Sequence, residues 1–106
     1  MIEIKQQNDN TYQFELKTST GQLLLSSIPF PNEEVTKKKV EELHPLMSKQ
    51  TSFERRTDHS GKFHFNLKDA NGSVIGNSQL YSSEAGMENG IKNLRKRVSL
   101  ISQSKS

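Results

Sequence analysis

The stretch Lys62-Phe63-His64-Phe65-Asn66-Leu67-Lys68 puts an apolar residue at every second position. Side chains of an extended strand alternate between two faces, so Phe63, Phe65 and Leu67 share one face and the polar set the other, as in a half-buried antiparallel strand. Beyond it, Asn71-Gly72 marks a turn, because this pair adopts positive φ cheaply, and Ser73 to Ser78 supplies the next strand. Ser83 before Glu84 reads as a helix N-cap with an acid in the positively polarised first turn. Met87, Ile91, Leu94, Val98 and Ile101 then recur at helical spacing within an arc of roughly 80°, so this helix buries one face.

The same unit occurs earlier in the chain. At an offset of 51 residues and without gaps, Tyr12, Phe14, Leu16, Lys17, Gly21, Leu24, Ser27, Phe30, Glu33, Val40 and Leu43 fall on Phe63, Phe65, Leu67, Lys68, Gly72, Ile75, Ser78, Tyr81, Glu84, Ile91 and Leu94. Pairs that are not identical keep aromatic for aromatic or aliphatic for aliphatic, as two copies of one supersecondary unit would. Residues 1–51 form the degenerate first repeat and 52–106 the second. Ile2 and Ile4 open the first copy as a strand, and Leu23 to Ile28 is its third. Its helix starts at Asn32, carries Glu33 and Glu34 in the first turn, presents Val35, Val40 and Leu43, and should end near His44, since a residue before proline disfavours the helical conformation.

Six strands at about 4.8 Å spacing make a sheet roughly 29 Å wide, most of one side of which two helices cover. The opposite side is predicted to carry Glu3, Lys5, Gln13, Glu15, Lys17, Glu54, Arg56, Lys62, His64, Asn66 and Lys68, all polar. The expected fold is therefore α+β: two tandem β3-α(-β) repeats sharing one antiparallel sheet and one core, with two helices packed on one face. Some 50 residues bury too little surface to stand as a separate domain.

Composition bounds the function. Only 30% of the 106 residues are apolar and mean hydropathy is -0.80, so the core is thin. With no cysteine there is no disulfide, thiolate nucleophile or cysteine-held metal. The longest apolar run, Leu23 to Leu25, cannot span a bilayer, and Glu3 and Lys5 interrupt what a signal peptide needs, so a cytoplasmic protein with no membrane partner is expected. Residues 1–51 carry seven acids against six lysines, whereas residues 52–106 carry nine basic and five acidic groups. Part of that excess lies at Lys92, Arg95, Lys96 and Arg97, which makes nucleic acid the alternative partner.

The pattern Phe63-x-Phe65-x-Leu67-Lys68-x-Ala70-Asn71-Gly72-x-x-Ile75-x-x-Ser78-x-x-Tyr81-x-Ser83, followed by Asn89-Gly90-Ile91, resembles the YegP-like family of small proteins of unknown function. The resemblance implies a repeated β3-α-β unit in one sheet, with C-terminal strands exchanged between halves, so that Phe53 to Thr57 would close one unit and open the next. It brings no catalytic residues. The first copy departs from the pattern at Thr20, Phe30 and Lys38-Lys39, the second at Asp69 and Asn93-Leu94.

Asn71, Ser78, Tyr81, Ser83 and Asn89 are the residues of the second copy that look least like core filling. One reading makes them a polar pocket at the turn and helix start, able to hold an anion. The other gives each a mechanical job: Asn71 serves the turn, Ser83 caps, Tyr81 packs under the helix, and Gly90 permits its close approach. The mechanical reading is the simpler. Arg55 aligns with Ile4 and should point toward the helices, its stem along apolar surface and its head reaching water or contacting an anion. His44, His59 and His64 do not converge, so no metal is expected, and neither a nucleophile elbow, a Walker loop nor a dinucleotide fingerprint is present. The sequence thus points to a monomeric, non-catalytic binding or structural module without cofactor. Nucleic-acid binding through the C-terminal helix is the alternative.

Overall fold

The computed structural model describes residues 2–104, with side chains over residues 2–100. Strands β1 (Ile2–Gln6), β2 (Tyr12–Lys17) and β3 (Leu23–Ser27) precede helices α1 (Glu33–Glu41) and α2 (Leu43–Met47). A 3-10 turn at Gln50–Ser52 leads into β4 (Phe53–Thr57), β5 (Phe63–Lys68), β6 (Val74–Asn77) and helix α3 (Glu84–Ser104). The strands form one antiparallel sheet in the order β1-β2-β3-β6-β5-β4. Each half is a meander, and the halves meet at β3 and β6, where Ser26 opposes Asn77 and Ser27 opposes Gly76.

This order corrects the exchanged-strand expectation. β4 pairs with β5 of its own half and lies at the sheet edge, as β1 does beside β2, so Phe53 to Thr57 opens the second meander without closing the first. Gly76 eases the close approach at the central junction: a Cβ there would stand 3.0 Å from the Ser26 carbonyl oxygen and 3.3 Å from Leu25 Cγ, so the neighbours would have to give by a few tenths of an ångström.

The two halves make matching contacts at the 51-residue offset. Both hold a register shift after the leucine of their second strand, between Leu16 and Lys17 and between Leu67 and Lys68. Tyr12 bridges Phe30 as Phe63 bridges Tyr81. Gly21 and Gly72 take φ of +89° and +86°, which an L side chain would find strained.

Phe14, Leu16, Leu25, Phe65, Leu67 and Ile75 from the sheet meet Leu43, Leu46, Met87, Ile91, Leu94 and Val98 from the helices, all buried. Complete burial of a leucine or phenylalanine contributes about 1.5–3 kcal/mol, so these paired faces carry the fold. The Ile101 side chain lies outside the described residues. Of the predicted outward residues, Lys5 and Glu15 pair at 3.0 Å, Lys17 and Glu3 at 3.2 Å, and Glu54 with Arg56 at 3.1 Å.

Among the described residues the helical layer contains three helices where two were expected. Asn32 caps α1, its side chain accepting the Val35 N–H at 2.8 Å. The helix stops at Glu41, with the Glu42 N–H shared between the Lys38 and Lys39 carbonyls. The chain then turns helical again, so His44 is no terminus. Pro45 is the third residue of α2, within the first turn, where a helix has no use for the missing N–H. The break lets Leu43, Leu46 and Met47 turn inward toward α3.

Candidate functional site

The second-copy polar residues do not assemble into one pocket. Asn71 is exposed in the β5–β6 turn and contributes its backbone N–H to Asp69 Oδ1 at 2.9 Å. Tyr81 is bridged to Phe63 at the opposite end of β5. Ser78 Oγ accepts the Phe65 N–H at 3.0 Å and donates to the Gln79 carbonyl at 2.8 Å, the same two bonds that Ser27 makes with Phe14 and Ile28 at 2.9 and 2.8 Å. Ser83 Oγ accepts the Gly86 N–H at 3.0 Å and caps α3. Three of these five residues are thus engaged in holding the chain.

Tyr81 and Asn89 do come together. They line a cavity of about 80 Å³ with Gln22, Gln79, Gly90 and Asn93. The Tyr81 ring lies so close under α3 that a Cβ on Gly90 would stand 2.7 Å from its Cζ. Its hydroxyl is buried and has no hydrogen-bond partner among the described residues. The space holds one or two water-sized groups and is too small for a metabolite.

Arg55 does point to the helical side, where Nε and Nη2 donate to the two carboxylate oxygens of Glu88 on α3. The bidentate bond to Arg55 holds the Glu88 carboxyl below its ordinary range and raises the guanidinium. An inward arginine is tolerated because its side chain stays about 40% exposed and its charge is met by Glu88. The anion that Arg55 contacts is therefore the protein's own.

The four cations of α3 point in different directions. Arg95 lies 4.9 Å over the Phe53 ring, a cation–π contact, and its Nε is buried without a hydrogen-bond partner among the described residues. It is packing more than a free charge. Lys92 and Lys96 are exposed and one turn apart. Arg97 lies on the other flank of the helix from Arg95, beside the β2–β3 turn. There it lines, with Thr18, Leu24, Asn93, Lys96 and Leu100, a cavity of about 220 Å³. A second cavity of about 380 Å³ shares Thr18 and Arg97 and adds Lys17 and Glu3.

The chain is 31% identical over 94 residues to the UPF0339 protein YegP of Escherichia coli, covering 89% of this chain and 86% of that protein. The chain belongs to the UPF0339 family. A UPF0339 protein of Pseudomonas aeruginosa is likewise 31% identical, over 88% of this chain and 84% of its own length. The solution structure of E. coli YegP, described as a protein of unknown function, superposes with a TM-score of 0.85 at 30% identity, over 92% of this chain and 84% of that one. That of a UPF0339 protein from Shewanella oneidensis gives 0.86 at 28% identity, over 92% and 82%. Residues 58–99 match a domain of unknown function, DUF1508. The UPF0339 likeness agrees with the resemblance read from the second copy and with the α+β fold. The DUF1508 segment contains Ser78, Tyr81 and Ser83 but stops short of Lys17 and Thr18 across the cleft.

Among the described residues no three His, Asp or Glu side chains are grouped as a metal would need, and no helix is long and apolar enough to cross a membrane. Sequence reasoning missed Lys17, Thr18 and Asn93 as cleft residues. One signal was available: the repeat alignment sets Thr18 against Asp69, an uncharged residue against an acid, in a turn otherwise alike.

Proposed function

We propose that this protein is a monomeric, non-catalytic binding module of the cytosol. The observation that carries this reading is how the polar groups are divided. Ser78, Ser83 and Arg55 are engaged in the fold, while Lys92, Lys96 and Arg97 have no acidic partner among the described residues. Groups that catalyse by acid–base or nucleophilic routes need a partner within hydrogen-bond reach, and Ser78 and Ser83 are bonded to backbone instead. Screening metabolites for turnover tests the proposal. No reaction is expected, and turnover lost on replacing Ser78, Tyr81 or Ser83 would overturn it. Light scattering across protein concentrations is expected to give the monomer mass, and a persistent dimer would contradict that part.

A second reading is nucleic-acid binding through α3, favoured by Lys92 and Lys96 standing outward one turn apart. Arg95 drops out of this surface because it is stacked on Phe53. Three cations neutralising about three phosphates would give log K against log salt a slope near -2.7 on duplex DNA. A flat salt response, or unchanged binding after replacement of all three by Ala, excludes it.

A further inference from the structure

The turn joining β2 to β3 and the turn joining β5 to β6 are built alike, with one exchange that changes their charge. The Thr18 N–H donates to the Gln22 carbonyl at 2.8 Å and the Asp69 N–H to the Ser73 carbonyl at 2.9 Å, and Gly21 and Gly72 each donate back at 3.0 Å. Asp69 Oδ1 accepts the N–H groups of Asn71 and Ser73, and Oδ2 lies 3.6 Å from Lys39 on α1. Thr18 occupies the matching position, and its hydroxyl accepts the Gln22 N–H at 3.0 Å. It reproduces one of the carboxylate's bonds to the turn and brings no negative charge.

The helix beside the uncharged turn is nonetheless basic. Lys96 and Arg97 line the cleft against Thr18, and among the described residues neither meets an acid. Among the described residues Glu3 is the one carboxylate lining the cleft, and it is bonded to Lys17 at 3.2 Å. At the β5–β6 turn a carboxylate thus meets a cation from the helix of the other repeat, while at the β2–β3 turn cations from the other repeat's helix stand beside a residue with no charge.

We propose that this cleft binds a small-molecule phosphate or diphosphate, whose oxygens bring to the β2–β3 turn the negative charge that Asp69 supplies at the β5–β6 turn. The inference gives the binding module a ligand class and rests on that reading. Arg97 supplies a planar fork suited to phosphate, Lys96 a point charge and Asn93 a neutral donor, while the Thr18 hydroxyl is shared with that of Thr20 at 2.9 Å. Leu24 and Leu100 give the cleft an apolar wall for the body of such a molecule. Of the two adjoining cavities, the one of about 380 Å³ is of metabolite size, unlike the space under Tyr81.

Titration with inorganic pyrophosphate, followed by amide NMR at low ionic strength, tests it. Saturable shifts are expected at Thr18, Ser19, Asn93 and Arg97, with Arg97→Ala weakening binding about tenfold or more. Thr18→Asp restores the carboxylate of the other half and is expected to abolish saturable binding in a folded protein, whereas Lys92→Ala, outside the cleft, should bind as the parent does. Should Thr18→Asp disturb the fold, Arg97→Gln keeps the stem and removes the charge, and the same loss is expected. Non-saturating shifts, Arg97→Gln binding like the parent, or Lys92→Ala losing as much as Arg97→Ala would overturn the proposal. Saturable binding accompanied by release of orthophosphate would uphold the site and defeat the non-catalytic reading, so the two fail separately.

Discussion

Replacing Gly90 by Ala sets two known quantities against each other. In an unobstructed helix interior the change stabilises by about 1 kcal/mol, because glycine loses the most backbone freedom on folding. Here the new Cβ would stand 2.7 Å from Cζ and 3.3 Å from Cε1 of Tyr81, well inside the roughly 3.5–4.0 Å at which carbons rest. The ring or the helix must shift, and overpacking of this kind costs about 1–3 kcal/mol. The expected net result is a loss of about 1 kcal/mol, a fall in Tm of about 4 °C or more for a domain of this size. In a Tyr81→Ala background the obstruction is gone, and Gly90→Ala should stabilise by about 1 kcal/mol, giving a coupling of about 2 kcal/mol. Gly86 is the control: its Cβ would meet Tyr81 Cδ1 at 3.7 Å and the Ser83 hydroxyl at 3.2 Å, so Gly86→Ala should change stability by no more than about 0.5 kcal/mol. Urea unfolding monitored by far-UV circular dichroism measures all four variants. If Gly90→Ala stabilises in both backgrounds, the Tyr81 ring does not lie under the helix and the reasoning is wrong.

Two further predictions concern charges. Arg55 and Glu88 are each about half exposed, so a double-mutant cycle is expected to return a coupling below about 1 kcal/mol that shrinks with added salt, and a salt-independent value of several kcal/mol would contradict the exposed geometry. Glu54 accepts from Asn66 and Arg56, each at 3.1 Å, and lies 3.4 Å from Lys68. These partners, the Asn66 amide first, hold its carboxyl down to about 2 from an ordinary 4.5. A carboxyl depressed by folding stabilises above its unfolded pKa and loses that contribution as it protonates, so this part of the stability should fade between about pH 4.5 and pH 2. NMR titration of the Glu54 side chain checks this, and a midpoint at the ordinary value would refute it.

The sheet was legible in the sequence because strand alternation is a local signal: Phe63, Phe65 and Leu67 declare their shared face within seven residues. Which strands border one another was not, since alternation records faces and leaves neighbours open. The central β3–β6 junction left one trace, Gly76 inside a strand, where the backbone of Ser26 comes close enough to crowd a side chain. The α1–α2 break was obscured because proline stops an established helix but fits the first turn of a new one. Helical spacing located Lys92, Arg95, Lys96 and Arg97 on one helix, yet their fates depend on neighbours distant in sequence: Phe53 takes Arg95, and the Thr18 turn faces Arg97. The cleft itself lies between parts of the chain some 80 residues apart, which no local pattern reports.

The central claim is that the polar residues common to both halves hold the backbone, and Ser78 decides it. Its hydroxyl bonds the Phe65 N–H as Ser27 bonds that of Phe14. Native-state hydrogen exchange of those two amides, measured in Ser78→Ala and Ser27→Ala, is the most direct test. Removing the acceptor of a buried donor costs about 1–3 kcal/mol, so each variant should lose that much protection at its own amide and a similar amount of global stability. A Ser78→Ala protein as stable and as protected at Phe65 as the parent would mean that Ser78 is kept for something other than the fold.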